Sequence, residues 1–170
     1  MGVYRLVRGG AIRLLEWALV AMVVAITLNV LWGIVTRTFW GQAIYTDELA
    51  RVLLVWISML GGALAFERKA HLGVDFFVSK MHPDARKALA ILVQCVTAVF
   101  AAVVLVVGGT ALAQGQWAQR LPTMPWLTKG GVYAAIPIAG FFILLFSLEN
   151  LAAIIRTPAE RVGAQTQSEG

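Results

Sequence analysis

Apolar residues gather in four long runs separated by short polar stretches. The runs cover about 14–36, 46–66, 88–113 and 131–155. A helix crossing a ~30 Å hydrocarbon layer needs about 20 apolar residues at 1.5 Å each, and every run meets that length. The runs lack the strict alternation of a barrel strand, and lipid cannot satisfy an open backbone, so each is expected to be a helix. The pattern predicts an all-α integral membrane protein with four transmembrane helices within residues 1–156. The stretch 157–170 is polar and is expected to be a disordered tail. Arg5, Arg8 and Arg13 precede the first run as in a signal peptide, but the run is too long for an apolar signal core of 7–15 residues. It is expected to be an uncleaved first span. The middle loop mixes apolar Leu72, Val74, Phe76, Phe77, Val78 and Met81 with polar Lys80, His82 and Asp84. That mixture predicts a short interfacial segment.

Composition narrows the class. Of 170 residues, 59% are apolar and 14% charged, far from the half and quarter of a soluble domain. A soluble enzyme, a disulfide scaffold and a disordered chain are excluded, and the loops leave no room for a catalytic domain. The net charge of +5 lies mostly in loops and tails, as topogenic signals do, so no nucleic-acid partner is expected. Ten Lys and Arg fall in the two tails and the middle loop, against three (Arg37, Arg120, Lys129) in the other loops. The positive-inside rule then puts both termini and the middle loop in the cytoplasm. The single cysteine, Cys95, lies in an apolar run and supports neither an internal disulfide nor a thiolate metal cluster.

Polar residues in and beside the runs are the candidates for function. Thr46-Asp47-Glu48-Leu49-Ala50-Arg51 opens the second span. Thr46 is expected to cap the helix, and Asp47 and Glu48 to complement its positive end. Arg51 can pair with either acid along one face. The group reads either as a self-neutralised helix start or as a polar contact with a partner subunit, since a charge inside a span faces protein or water rather than lipid. Asn29 within span one reads as helix-packing glue, with a substrate or ion ligand as the alternative. Gly33, Gly61, Gly62, Gly108 and Gly109 permit close helix approach. Glu67, His71 and Asp75 fall at i, i+4 and i+8, but Gly73 interrupts the helix and no fourth ligand is evident, so no metal is expected. Trp40, Trp117 and Trp126 belong in the outer loops at headgroup level. Pro122 and Pro125 stiffen the outer loop, and Pro137 lies where it can kink span four. That loop reads as a rigid connector or as a docking surface facing the periplasm.

Haem ligation needs histidines within the spans, and here His71 and His82 both lie in the middle loop. No mid-span carboxylate suits a proton relay. No cofactor and no catalytic residue are expected.

The residues resemble those of the small membrane subunit (Q subunit, DctQ-like) of tripartite ATP-independent periplasmic (TRAP) transporters. The resemblance rests on Asp47, Glu48 and Arg51 opening span two, then Leu54-Val55-Trp56, Gly61-Gly62-Ala63, His71 and Val74-Asp75. It continues through the proline-rich loop with Trp126, Tyr133 and Ile136-Pro137-Ile138, and covers roughly residues 16–151. Asp47 stands where such subunits often carry a second glutamate. The resemblance implies a scaffold subunit of the bacterial inner membrane that packs against a large multi-span M subunit. M would carry the sodium and substrate sites, and a periplasmic binding protein would deliver organic acids. It makes Asp47, Glu48, Arg51, Trp56, Asn29, His71, Asp75, Trp126, Tyr133 and Pro137 interface or structural candidates, with no substrate-binding residue in this chain. A self-sufficient small transporter and a membrane anchor for an unrelated complex are the alternatives.

Overall fold

The computed structural model describes residues 2–41, 44–68 and 83–156. Helices α1 (Gly2–Trp40) and α2 (Ile44–Glu67) form the first pair. A long third rod follows, made of α3 (Pro83–Phe100), a π-helical segment (Ala101–Gly108) and α4 (Gly109–Gly115). The last rod consists of α5 (Lys129–Tyr133) and α6 (Ala135–Arg156). Four stretches are long and apolar enough to cross a membrane: Gly9–Phe39, Tyr45–Glu67, Lys87–Gly115 and Lys129–Ile155. They are the four spans that the hydropathy pattern predicts, and the described residues carry no β-sheet. The first helix begins well before position 14. The expected interfacial segment, with His71 and Asp75, and the tail 157–170 lie outside the described residues.

Local chemistry sets the breaks. Gly41 follows α1 with φ of 77°, the left-handed conformation that glycine adopts without steric cost after a helix. Thr128 caps α5, its hydroxyl accepting the Gly131 N–H at 3.2 Å. Span four is interrupted at Ala134, between α5 and α6. Pro137, three residues on, has no N–H to give the Tyr133 carbonyl, which removes one rung of the ladder there. The expected effect of Pro137 thus takes the form of a one-residue interruption.

Span three is not a single continuous α-helix, since its middle winds as a π-helix. At the end of its π segment, the Gly109 N–H is shared among carbonyls that include Val104, five residues back, and Leu105, four back. The wider turn brings Leu105 against span four at Gly140, where a Cβ on the glycine would collide with the Leu105 side chain.

The spans form a row in the order one, two, four, three. Span four, wedged between two and three, has the largest buried share. The core gathers Leu15, Leu60, Ala63, Ala139 and Phe146, with Trp56, Met59 and Phe142 packed on it. Phe142 and Phe146 stack at 6.3 Å between centroids. Most remaining apolar side chains on spans one and three point outward, as expected where lipid replaces water. Hydroxyls of Thr27, Thr36, Thr38, Thr97 and Thr110 turn back onto carbonyls of their own helices and are satisfied there.

Candidate functional site

The loops at one end of the row bring together most of the polar candidates. Asn29 of span one donates its amide N–H to the Thr46 carbonyl on span two at 2.7 Å. One turn further along, Gly33 lets the Thr46 side chain sit against span one; a Cβ on the glycine would lie 2.9 Å from the Thr46 hydroxyl. Thr46 is therefore not the expected cap. Helix α2 begins at Ile44, and Thr46 lies inside its first turn as the wedge between two spans.

The acidic pair is divided between two partners. Asp47 accepts from Arg37 of span one, at 3.2 Å to Oδ2 and 3.4 Å to Oδ1. Glu48 points the other way, and its Oε2 accepts the Thr123 backbone N–H at 3.0 Å. That bond ties the loop 116–128 to the start of span two. Arg51 makes no hydrogen bond or ion pair with any described residue, and its side chain is exposed. The pairing of Arg51 with Asp47 or Glu48 expected from helix spacing does not form, because tertiary partners reach both carboxylates first.

The loop is ordered by its own backbone. Leu121 N–H bonds to Leu127 O at 3.0 Å, Leu127 N–H to Met124 O at 2.9 Å, and Lys129 N–H to Gln119 O at 2.8 Å. Arg120 adds a bond to the Pro125 carbonyl at 3.0 Å. A bridge between Arg120 and Thr128 closes the structure. Met124 is thereby driven inward and is 5% exposed. It floors a cleft of about 230 Å³ with Asn29, Trp32, Tyr45 and Leu49. A second, outward cleft of about 400 Å³ lies between Tyr45, Pro122, Pro125 and Trp126. Trp126 is 73% exposed beside it.

The other candidates are scattered. Trp56 packs on the core one and a half turns beyond Arg51. Tyr133 ends α5, half-buried. Pro137 lies against Gly109 of span three, where a Cβ would meet its ring at 2.9 Å. Glu67 is buried at the far end of span two, while His71 and Asp75 fall outside the described residues. At that far end Glu16 of span one pairs with Arg68.

Several contacts escaped the sequence reading. Gly130 and Gly140 join the expected Gly109 as tight points between spans three and four, whereas Gly61 and Gly62, also expected to permit close approach, meet little or nothing. Ser147 is fully buried, and its hydroxyl donates to Gln94, shared between the backbone carbonyl at 3.0 Å and Oε1 at 3.2 Å. Only the isolated serine and glutamine within apolar runs could have signalled that pair.

Comparison with known proteins bears on the whole four-span frame. The family model for the DctQ component of tripartite ATP-independent periplasmic transporters matches residues 22–157. A sialic acid TRAP transporter small permease protein, SiaQ, of Vibrio cholerae is 25% identical over 142 residues, 81% of this chain and 79% of its own length. A putative TRAP transporter small permease protein of Haemophilus influenzae is 26% identical over 135 residues, 77% of this chain and 80% of its own. The sialic acid TRAP transporter permease protein SiaT of Haemophilus influenzae is 24% identical over 133 residues, 78% of this chain but 21% of that longer protein. With four membrane-crossing helices, a match over most of its length and small permease proteins among its relatives, the chain belongs to the DctQ component family of tripartite ATP-independent periplasmic transporters.

Proposed function

We propose that this chain is the small scaffold subunit of an ion-gradient-driven TRAP transporter that imports organic acids. It packs against a large transport subunit, which carries the substrate and coupling-ion sites, while a periplasmic binding protein delivers the substrate. Sodium is the expected coupling ion. The chain lies in the bacterial inner membrane with both termini in the cytoplasm, and it has no catalytic activity of its own.

The observation that carries this reading is the SiaT match. There a segment matching 78% of this chain makes up about a fifth of a longer permease. A separate chain of the same kind is expected to hold the remaining permease as a permanent partner. The polar chemistry agrees with a supporting part. A carboxylate site needs fixed positive groups or helix ends near the midplane and oxygens for an ion. Asn29 is instead spent on Thr46, and Ser147 on Gln94.

The test uses the assembled system. Deleting this chain is expected to abolish uptake of labelled organic acids by cells that express the large subunit and the binding protein. The purified chain is expected to show no saturable carboxylate binding by calorimetry. With Cys95→Ala as background, Ala118→Cys should react with an impermeant thiol reagent from outside and Ala85→Cys should not. Uptake by this chain alone in proteoliposomes would refute the scaffold role, and the reverse labelling would invert the topology.

A further inference from the structure

Span two turns one side to the core and leaves its back open. Trp56, Met59, Leu60 and Ala63 face the bundle. Arg51, Leu54, Ser58, Gly62 and Ala65 are all exposed, and their spacing of three, four, four and three residues puts them on a single opposite stripe. The stripe runs about 21 Å along the helix at 1.5 Å per residue.

Its chemistry differs from the other outward faces. Spans one and three present large apolar side chains, such as Val24, Leu28 and Leu31, and Val96, Val99 and Val103. On the stripe only Leu54 is a large hydrophobe. A Cβ built on Gly62 meets nothing within 4 Å, so this glycine is not making room for another described part of this chain. Span two is also the least apolar of the four.

Arg51 supplies an independent observation. It lies six residues past Tyr45, about 9 Å into the span. A guanidinium at that depth is costly unless it is paired or reaches water or headgroups. The two nearby carboxylates are engaged, Asp47 by Arg37 and Glu48 by the Thr123 amide. The face therefore carries at its loop end a positive charge with no partner among the described residues, and a shallow trough of small residues below it.

The geometry points to this stripe of span two as the seat of a transmembrane helix of the large transport subunit, with a carboxylate of that helix paired to Arg51. The assignment rests on the scaffold reading above and names the face and chemistry of its contact. Small residues let two helix backbones approach closely, which is how helices associate where lipid removes the hydrophobic drive. Charge complementarity selects the partner. A second copy of this chain inserts in the same direction, so a two-fold axis along the membrane normal would set Arg51 against Arg51 at equal depth.

The experiment uses the chain co-expressed with its large subunit. A photo-crosslinking amino acid at Ser58 or Ala65 is expected to capture the large subunit, while the same probe at Leu28 or Val99 is expected to capture much less. Gly62→Leu has open space within this chain, so its own thermal unfolding should be unchanged. Yet recovery of the large subunit should fall about tenfold, because the added side chain fills the trough. Arg51→Glu should cause a similar loss of about tenfold, Arg51→Lys a smaller one, and a basic substitution of the facing carboxylate should rescue Arg51→Glu. The inference is overturned if the large subunit stays bound but is captured only from spans one or three. It is equally overturned if Gly62→Leu and Arg51→Glu leave recovery unchanged, which would mean that lipid covers the stripe and Arg51 snorkels to headgroup phosphate. Failure of the unmodified chain to recover any large subunit would instead overturn the scaffold reading itself.

Discussion

At single positions, packing outranks hydrogen bonding as the source of this chain's own stability. Ser147→Ala removes one interhelical bond, a loss of about 0.6 kcal/mol on the average for membrane helices. Gly140→Ala adds one carbon where the Leu105 side chain already sits, and overpacking of that kind costs about 1–3 kcal/mol. Thermal unfolding in detergent should therefore rank Gly140→Ala as the more harmful change. Equal effects would show that the π segment gives way to accommodate the methyl. The same scale explains what spacing could not reveal. Arg51 stands at the right interval to pair with Glu48, and on an isolated helix it would do so. Asp47 and Glu48 instead meet Arg37 and Thr123, ten and seventy-five residues away. Sequence carries no direct sign of such partners.

Among the elements, the four spans were legible because a bilayer imposes length and apolarity on any segment that crosses it. Their interruptions were less so. Pro137 announces a break through its missing N–H, and the break falls at Ala134. The π segment has no comparable sign, because Ala101–Gly108 is apolar all round and any helical winding suits it. The connection 116–128 was legible as stiff, from Pro122 and Pro125, but not as docked. Its docking depends on the Thr123 amide meeting Glu48. Glu48→Leu should release the loop, seen as faster hydrogen exchange at the Thr123 amide and easier protease cleavage near Trp126. Glu48→Gln keeps an acceptor oxygen and should leave the loop nearly as protected. Unchanged exchange in Glu48→Leu would show that the internal bonds of the loop hold it without span two.

For the whole molecule, the order one, two, four, three means that each hairpin of consecutive spans meets the other through spans two and four. Each hairpin also holds itself. The first is fastened by Asn29–Thr46, Arg37–Asp47 and Glu16–Arg68, and the second by Ser147–Gln94 and the glycine contacts of spans three and four. The consequence concerns biogenesis. The ribosome can deliver a finished first hairpin before the second leaves the translocon, and joining them requires only lateral collision in the plane of the bilayer. The covalent link between Arg68 and Pro83 should then be dispensable. Two polypeptides cut within that link and made in the same cell should find each other and co-purify as a stoichiometric pair. Halves that degrade separately would mean that the row is assembled only as one continuous thread.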